Sequence, residues 1–203
     1  MIAIIDYGLG NLESVKYALD RLGAPSVLTN DPVAIVSADG VILPGVGAFG
    51  RAMEKFRELG LVDAARSAAA SGRPFMGICL GLQLLFSSSE EHGEHEGLGI
   101  VPGRVVRFAH DLTVPHMGWN QVHQERPCPL FDGVPDENFF YFAHSYYAEP
   151  ADPAAAVGST DYGRRYASTI QQGNVFATQY HPEKSGPVGL KMLGNFVRLC
   201  KGV

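Results

Sequence analysis

Long apolar stretches, surplus positive charge and paired cysteines are all missing from this chain of 203 residues, and each lack removes a class of function. The hydrophobic runs at 2–5, 41–43 and 75–78 fall far short of the roughly 20 residues that a membrane helix needs. No span is expected. Sixteen basic residues against 21 acidic ones leave a net charge of -5, with nothing spare to neutralise phosphates. Nucleic acid is therefore not an expected partner. Cys79, Cys128 and Cys200 are odd in number and widely spaced, which fits neither a disulfide framework nor zinc knuckles and leaves reduced thiols. The start at Met1 has neither the basic stretch nor the cleavage site of a signal peptide, so a cytoplasmic location is expected. Repeats, low-complexity tracts and linkers are absent too. One domain over 1–203 is the resulting expectation.

What is present is an alternation of short strand-like runs and segments of helical period, the pattern of parallel strands joined by crossover helices. After the run 2–5 and the turn at Gly8 and Gly10, residues Leu12, Val15, Ala18, Leu19 and Leu22 share one helix face, which Gly23 ends. Short strands are expected at 27–28 and 41–43. Met53, Phe56, Leu59, Val62 and Ala65 then mark helical cover before the strand 75–78. From about Gly99 the runs shorten and are broken by Gly, Pro and Asp, at 103–108, 138–141, 167–170 and 175–179. These predict antiparallel or mixed pairing. Val188, Met192, Leu193, Phe196, Val197 and Cys200 form a closing helical face. The fold class is α/β: an open mixed, largely parallel sheet flanked by helices, with antiparallel strands in the second half.

Gly77-Ile78-Cys79-Leu80-Gly81 joins the strand 75–78 to a helical segment expected over 80–86. This is the strand, sharp turn and helix of a nucleophile elbow. Side chains at the two glycine positions would collide across so tight a turn. A free cysteine is more often a small buried hydrophobe than a nucleophile, and Cys128 and Cys200 read that way. The flanking glycines and the start of a helix, whose dipole favours thiolate, set Cys79 apart.

A cysteine nucleophile needs an imidazole to move protons and a third group to hold the ring. Gln179-Tyr180-His181-Pro182-Glu183 ends the strand 175–179 and supplies both. On extended backbone the side chains of His181 and Glu183 project to the same side, with Pro182 narrowing the freedom between them. Leu43-Pro44-Gly45-Val46-Gly47 follows another strand, and its glycines let backbone N–H groups turn toward a ligand. With the N–H of Leu80 it can form an oxyanion hole; a plain strand-to-helix turn is the simpler alternative. Asp6-Tyr7-Gly8-Leu9-Gly10-Asn11 fails the dinucleotide fingerprint, because Glu13 stands where the third glycine belongs. His92 and His95 lie in a charged, glycine-containing stretch that reads as a solvated loop rather than a metal site.

In this order, the 44–47 loop, the Gly77–Gln83 elbow and His181-Pro182-Glu183 resemble the class I, or triad, glutamine amidotransferases. Pro115-His116-Met117-Gly118-Trp119-Asn120, the 6–11 opening and Lys184-Ser185 bring the chain nearest to one branch, the glutaminase subunits of imidazole glycerol phosphate synthases. That resemblance implies Cys79, His181 and Glu183 as catalytic residues and Val46, Gly47 and Leu80 at the oxyanion hole, with a peptide flip at Val46. It implies glutamine contacts from Gln83, Glu91, His144, Ser145 and Tyr146. A (βα)8-barrel cyclase subunit would be met through Leu9, Asn11, Trp119, Tyr141 and Lys184. The triad chemistry requires no metal or organic cofactor. Rivals are a triad amidotransferase serving another synthase, a stand-alone cysteine hydrolase, and a non-catalytic module of the same fold.

Overall fold

The computed structural model describes residues 1–109 and 112–202. The first half alternates strands and helices through β1 (Ile2–Ile5), α1 (Leu12–Arg21), β2 (Ser26–Thr29), α2 (Pro32–Ser37) and β3 (Gly40–Gly45), with α2 the element the sequence reading lacks. Two helices, α3 (Phe49–Glu58) and α4 (Val62–Ala70), precede β4 (Phe75–Cys79) and α5 (Leu80–Leu84). The second half runs through β5 (Phe86–Ser89), β6 (His95–Glu96), β7 (Val101–Arg107), β8 (His116–Gln124), β9 (Asn138–His144) and β10 (Tyr146–Pro150). It closes with β11 (Ala156–Asp161), β12 (Arg165–Gln172), β13 (Val175–Thr178) and α6 (Gly186–Lys201).

Five strands in the order β2-β1-β3-β4-β13 all pair parallel. Beyond β13 the sheet continues through β12, β10 and β7 in antiparallel pairs, then β5 and β6, while β11, β8 and β9 branch from β12. Strands β1, β3, β4 and β13 are buried on both faces, as their unbroken apolar runs require, while the edge strand β2 is half-buried. Ala3, Val41, Leu43 and Phe75 pack with Ile35, Phe56 and Ala65 from α2, α3 and α4. Ile2, Ile4, Ile42 and Met76 face the other way, against Val15 and Leu19 of α1 and Met192 and Phe196 of α6. Each such fully buried side chain contributes roughly 1.5–3 kcal/mol. The outcome is a helix, sheet, helix sandwich.

Two local expectations are corrected, and one helix is an addition to them. The helical cover at 53–65 is two helices, because Gly60 at φ +65° turns the chain between them. The helix after Cys79 stops at Leu84, and Phe86 already belongs to β5. Helix α2, too short to show a periodic face, is set by Asp31, whose carboxylate accepts the Val33 N–H at 3.0 Å just ahead of Pro32. Among the described residues no helix is long and apolar enough to cross a membrane. Strands β3, β4 and β13 end at one edge of the sheet, where ligands of open parallel sheets sit.

Candidate active site

Strand β4 delivers Cys79 at φ 54° and ψ -109°, a conformation that a side-chain-bearing residue adopts only under constraint, and α5 starts at the next residue. A Cβ on Gly81 would lie 1.8 Å from the Leu43 carbonyl oxygen, and one on Gly77 2.8 Å from the Gly81 oxygen. Both glycines are therefore obligatory. Cys79 is 5% exposed, and its Sγ lies 3.9 Å from the Ala143 carbonyl.

The imidazole arrives from β13. The His181 N–H donates to the Tyr141 carbonyl at 2.9 Å, and the Ser185 hydroxyl donates to the His181 carbonyl at 2.6 Å while accepting the Tyr141 N–H at 3.0 Å. His181 is extended, but Pro182–Lys184 forms one 3-10 turn. Glu183 thus reaches His181 from a turn, not from a continuing extended strand. Its Oε1 accepts a hydrogen bond from His181 Nδ1 at 2.8 Å, with both side chains buried. A carboxylate can only accept, so Nδ1 carries a proton and Nε2 is the ring nitrogen left for the neighbouring Cys79. Burial alone would lower the imidazole's proton affinity. Charge and hydrogen-bond interactions with Cys79 and then with Glu183 outweigh it and raise the pKa to about 10.

Gly45 pairs with Cys79 in the β3–β4 register, which brings the glycine loop alongside the elbow. Gly47 has φ +97°, and Val46 is half-exposed. Leu80 opens α5, so its N–H is among the first-turn donors that no helical carbonyl reaches. A cavity of about 210 Å³ is lined by Cys79, Val46, Gly47, Leu80, Gln83, Glu91, His144, Ser145 and Tyr146. The oxyanion and glutamine positions expected from sequence are therefore gathered around the nucleophile. Pro115, Met117 and Ala143 line it as well, and sequence reasoning gave them no place in the pocket. The two-residue alternation of a strand through 115–117, with its partner at 143, is the signal that would have found them.

Three of the residues expected to contact glutamine are already engaged within the protein. His144 has both ring nitrogens committed: Nδ1 donates to the Tyr146 carbonyl at 2.8 Å, and Nε2 faces His116 Nδ1 at 3.0 Å and the Tyr166 hydroxyl at 3.1 Å. His144 nonetheless lines the cavity together with Ser145 and Tyr146. Burial lowers the pKa of His144 to about 3 and that of His116 to about 4, so both rings are neutral at pH 7. Gln83 donates both amide hydrogens inside the protein, to the Tyr146 carbonyl at 3.0 Å and to Gln179 Oε1 at 3.2 Å. Any contact it makes with a ligand uses its oxygen. Glu91 Oε2 accepts the Phe49 N–H at 2.6 Å and so ties its loop to the start of α3. His92 is exposed, whereas His95 packs its ring over Gly50 rather than standing in a solvated loop.

Strands β8 and β9 pair Met117 with Ala143, Trp119 with Tyr141 and Gln121 with Phe139 on one face. Met117, Trp119 and Phe139 are 64%, 55% and 50% exposed, and the Trp119 and Tyr141 rings meet edge-on at 6.1 Å. This apolar face leads into the cavity through Met117 and Ala143. Lys184 is exposed nearby in sequence to the triad, and Asn11 Oδ1 accepts the Ser14 hydroxyl at 2.9 Å. Leu9 is half-buried and packs against the core.

A cysteine on a glycine-flanked elbow, paired to an imidazole and a carboxylate at the edge of a parallel sheet, defines a triad hydrolase site. The chain belongs to the Glutamine amidotransferase class-I family, which matches residues 3–200. It is 55% identical over 200 residues to imidazole glycerol phosphate synthase subunit HisH of Moorella thermoacetica (strain ATCC 39073 / JCM 9320), covering 98% of this chain and 95% of the relative. To the subunit of that name from Desulfitobacterium hafniense (strain DSM 10664 / DCB-2) it is 52% identical over 196 residues, covering 97% and 93%. A crystal structure of a glutamine amidotransferase matches with a TM-score of 0.78 at 20% identity over 100% of both chains. PurLQS from Thermotoga maritima matches at 0.75 with 18% identity over 97% of each. At such identities the likeness is one of fold.

Proposed function

We propose that residues 1–203 form one glutaminase domain, the ammonia-producing subunit of an imidazole glycerol phosphate synthase in histidine biosynthesis. The observation that carries this is the Cys79, His181, Glu183 array beside an amino-acid-sized cavity, in a chain half identical to subunits of that name. Three free thiols suit a cytoplasmic enzyme.

The Cys79 thiolate attacks the carboxamide carbon of glutamine, and the new carbon–sulfur bond pushes an electron pair onto oxygen. Backbone N–H groups of Leu80 and of the 46–47 turn receive that charge. Collapse of the tetrahedral species expels ammonia, with the proton coming from His181 Nε2. Water then attacks the thioester, His181 takes its proton, and glutamate leaves as the thiolate is restored. Glu183 holds the ring throughout, as imidazolium until ammonia leaves, as neutral imidazole until water gives up its proton, and as imidazolium again afterwards.

Ammonia passes to a cyclase subunit, a (βα)8 barrel, which forms imidazole glycerol phosphate and an aminoimidazole carboxamide ribotide. The exposed face of Met117, Trp119 and Phe139, with Tyr141, Lys184 and the 9–11 loop, is the docking surface for that heterodimer. The mobile element is the peptide at Val46. While its N–H is turned away, the oxyanion hole withholds roughly 3–4 kcal/mol, or about 100- to 1000-fold in rate. Glutamate release is measured for the isolated chain and for the chain with its cyclase. A rate higher by at least about 100-fold in the complex is expected. Equal rates would overturn the switch, and no glutamate in either case would overturn the function.

A further inference from the structure

Gln179 lies at the end of β13, fully buried, and its Nε2 is 3.8 Å from the Cys79 sulfur. The orientation of this amide is fixed by its neighbour. Gln83 places its Nε2 3.2 Å from Gln179 Oε1 and 3.0 Å from the Tyr146 carbonyl, and a carbonyl can only accept. Gln83 is thereby held with its nitrogen toward both, so Gln179 must offer its oxygen to Gln83 and its N–H to the sulfur. The Tyr146 carbonyl takes a second bond from His144 Nδ1, whose Nε2 meets His116, whose own Nε2 meets Asn120 Nδ2 at 3.2 Å. The amide that faces Cys79 is thus the last link of a hydrogen-bond chain anchored on β8.

On the glutaminase function proposed above, we infer that Gln179 is a further catalytic residue: its amide N–H donates to the Cys79 thiolate and stabilises it before attack. Gln83 is the positioning residue that keeps this amide the right way round. This donor gives the sulfur a hydrogen bond to its charged form, and hydrogen bonds to ions are the strong ones. No bond is made or broken at Gln179.

The test reads the sulfur without glutamine, so it stands or falls separately from the glutaminase function. The full chain is treated with iodoacetamide, and alkylation of Cys79 is followed by mass spectrometry across pH. In Gln179→Met, which keeps the volume and loses the donor, the rate at pH 7 is expected to fall about 10-fold. The profile should move to higher pH with the same plateau. Gln83→Glu should act alike, because a carboxylate there favours the flipped amide, with oxygen toward sulfur. A wild-type rate and profile in either folded variant overturns the inference. Nuclear magnetic resonance on the unsubstituted chain serves where neither variant folds: alkylating Cys79 should shift the Gln179 side-chain amide protons, and unmoved resonances overturn it.

Discussion

The backbone N–H of His181 donates to the carbonyl of Tyr141 at 2.9 Å, so the base of the triad hangs from the strand whose outer face carries the exposed aromatic patch. Ser185 closes the clamp by bonding both residues. Its replacement by alanine leaves a buried N–H and a carbonyl without that partner, which costs about 1–3 kcal/mol. Ser185→Ala is expected to lower glutaminase kcat about 10-fold, through a misplaced ring, with a smaller change in KM. Steady-state kinetics with the cyclase present decide it. An unchanged kcat would show that the clamp does not hold His181.

Thiol chemistry should be confined to one position. Burial pushes the Cys128 thiol up to about 11 and the Cys200 thiol up to about 12, so neither is a nucleophile at neutral pH. A glutamine-like diazoketone should label Cys79 alone, with labelling lost in Cys79→Ala. Peptide mapping reads this directly, and an adduct on either of the other two cysteines contradicts it.

Gly81→Ala sets a Cβ against the backbone oxygen of Leu43, which cannot retreat without breaking β3 from its neighbours. The expected loss is about 3 kcal/mol, or about 6–12 °C in thermal midpoint for a chain of this size. A midpoint within 2 °C of the parent, by circular dichroism, would mean that the elbow relaxes more easily than its geometry implies.

Acid should weaken the fold through the buried histidine pair. His144, pushed down to about 3 mainly by burial and further by the neighbouring His116 and His181, binds its proton less well folded than unfolded. Stability from this group is therefore complete above its ordinary value of 6.5 and is lost as pH falls toward 3. Between pH 7 and pH 5 His144 alone accounts for about 2 kcal/mol. Urea unfolding of the parent and of His144→Gln at both values isolates the effect. The variant should lose less on acidification, and an identical loss would refute the assignment.

Trp119 and Phe139 have little to do for the fold itself. Alanine at either site should change the stability of the isolated chain by less than about 0.5 kcal/mol. Docking to the cyclase should weaken by about 2 kcal/mol or more for Trp119, a roughly 30-fold rise in Kd by titration calorimetry. Unaltered affinity in both variants would move the interface elsewhere.

How far sequence carries the reading depends on how local each signal is. The parallel half was legible because its strands are buried on both faces and its helices show a long apolar stripe, as at Val15 and Leu19 or Met192 and Phe196. Cys79, His181 and Glu183 were legible because an elbow and a strand end impose their own glycines and proline. The short strands β5, β10 and β11 were not, since a few residues against a neighbour leave no periodic trace. Nor were the roles of His144 and Gln83, whose partners His116, Tyr166 and Gln179 are distant along the chain. Their donors and acceptors are allotted only once the strands are laid side by side. Phe139 escaped notice because exposure, not composition, makes it unusual.

The loop beside the nucleophile is pinned at both ends. Gly45 sits in register with Cys79 in the sheet, and the amide of Phe49 is held by Glu91. Only Val46, Gly47 and Ala48 remain between these anchors. Reorienting one peptide there asks for a few compensating torsions and no travel by α3. The catalytic on and off forms would then share almost the same outline, and a probe of overall shape, such as small-angle scattering, should see no difference between them.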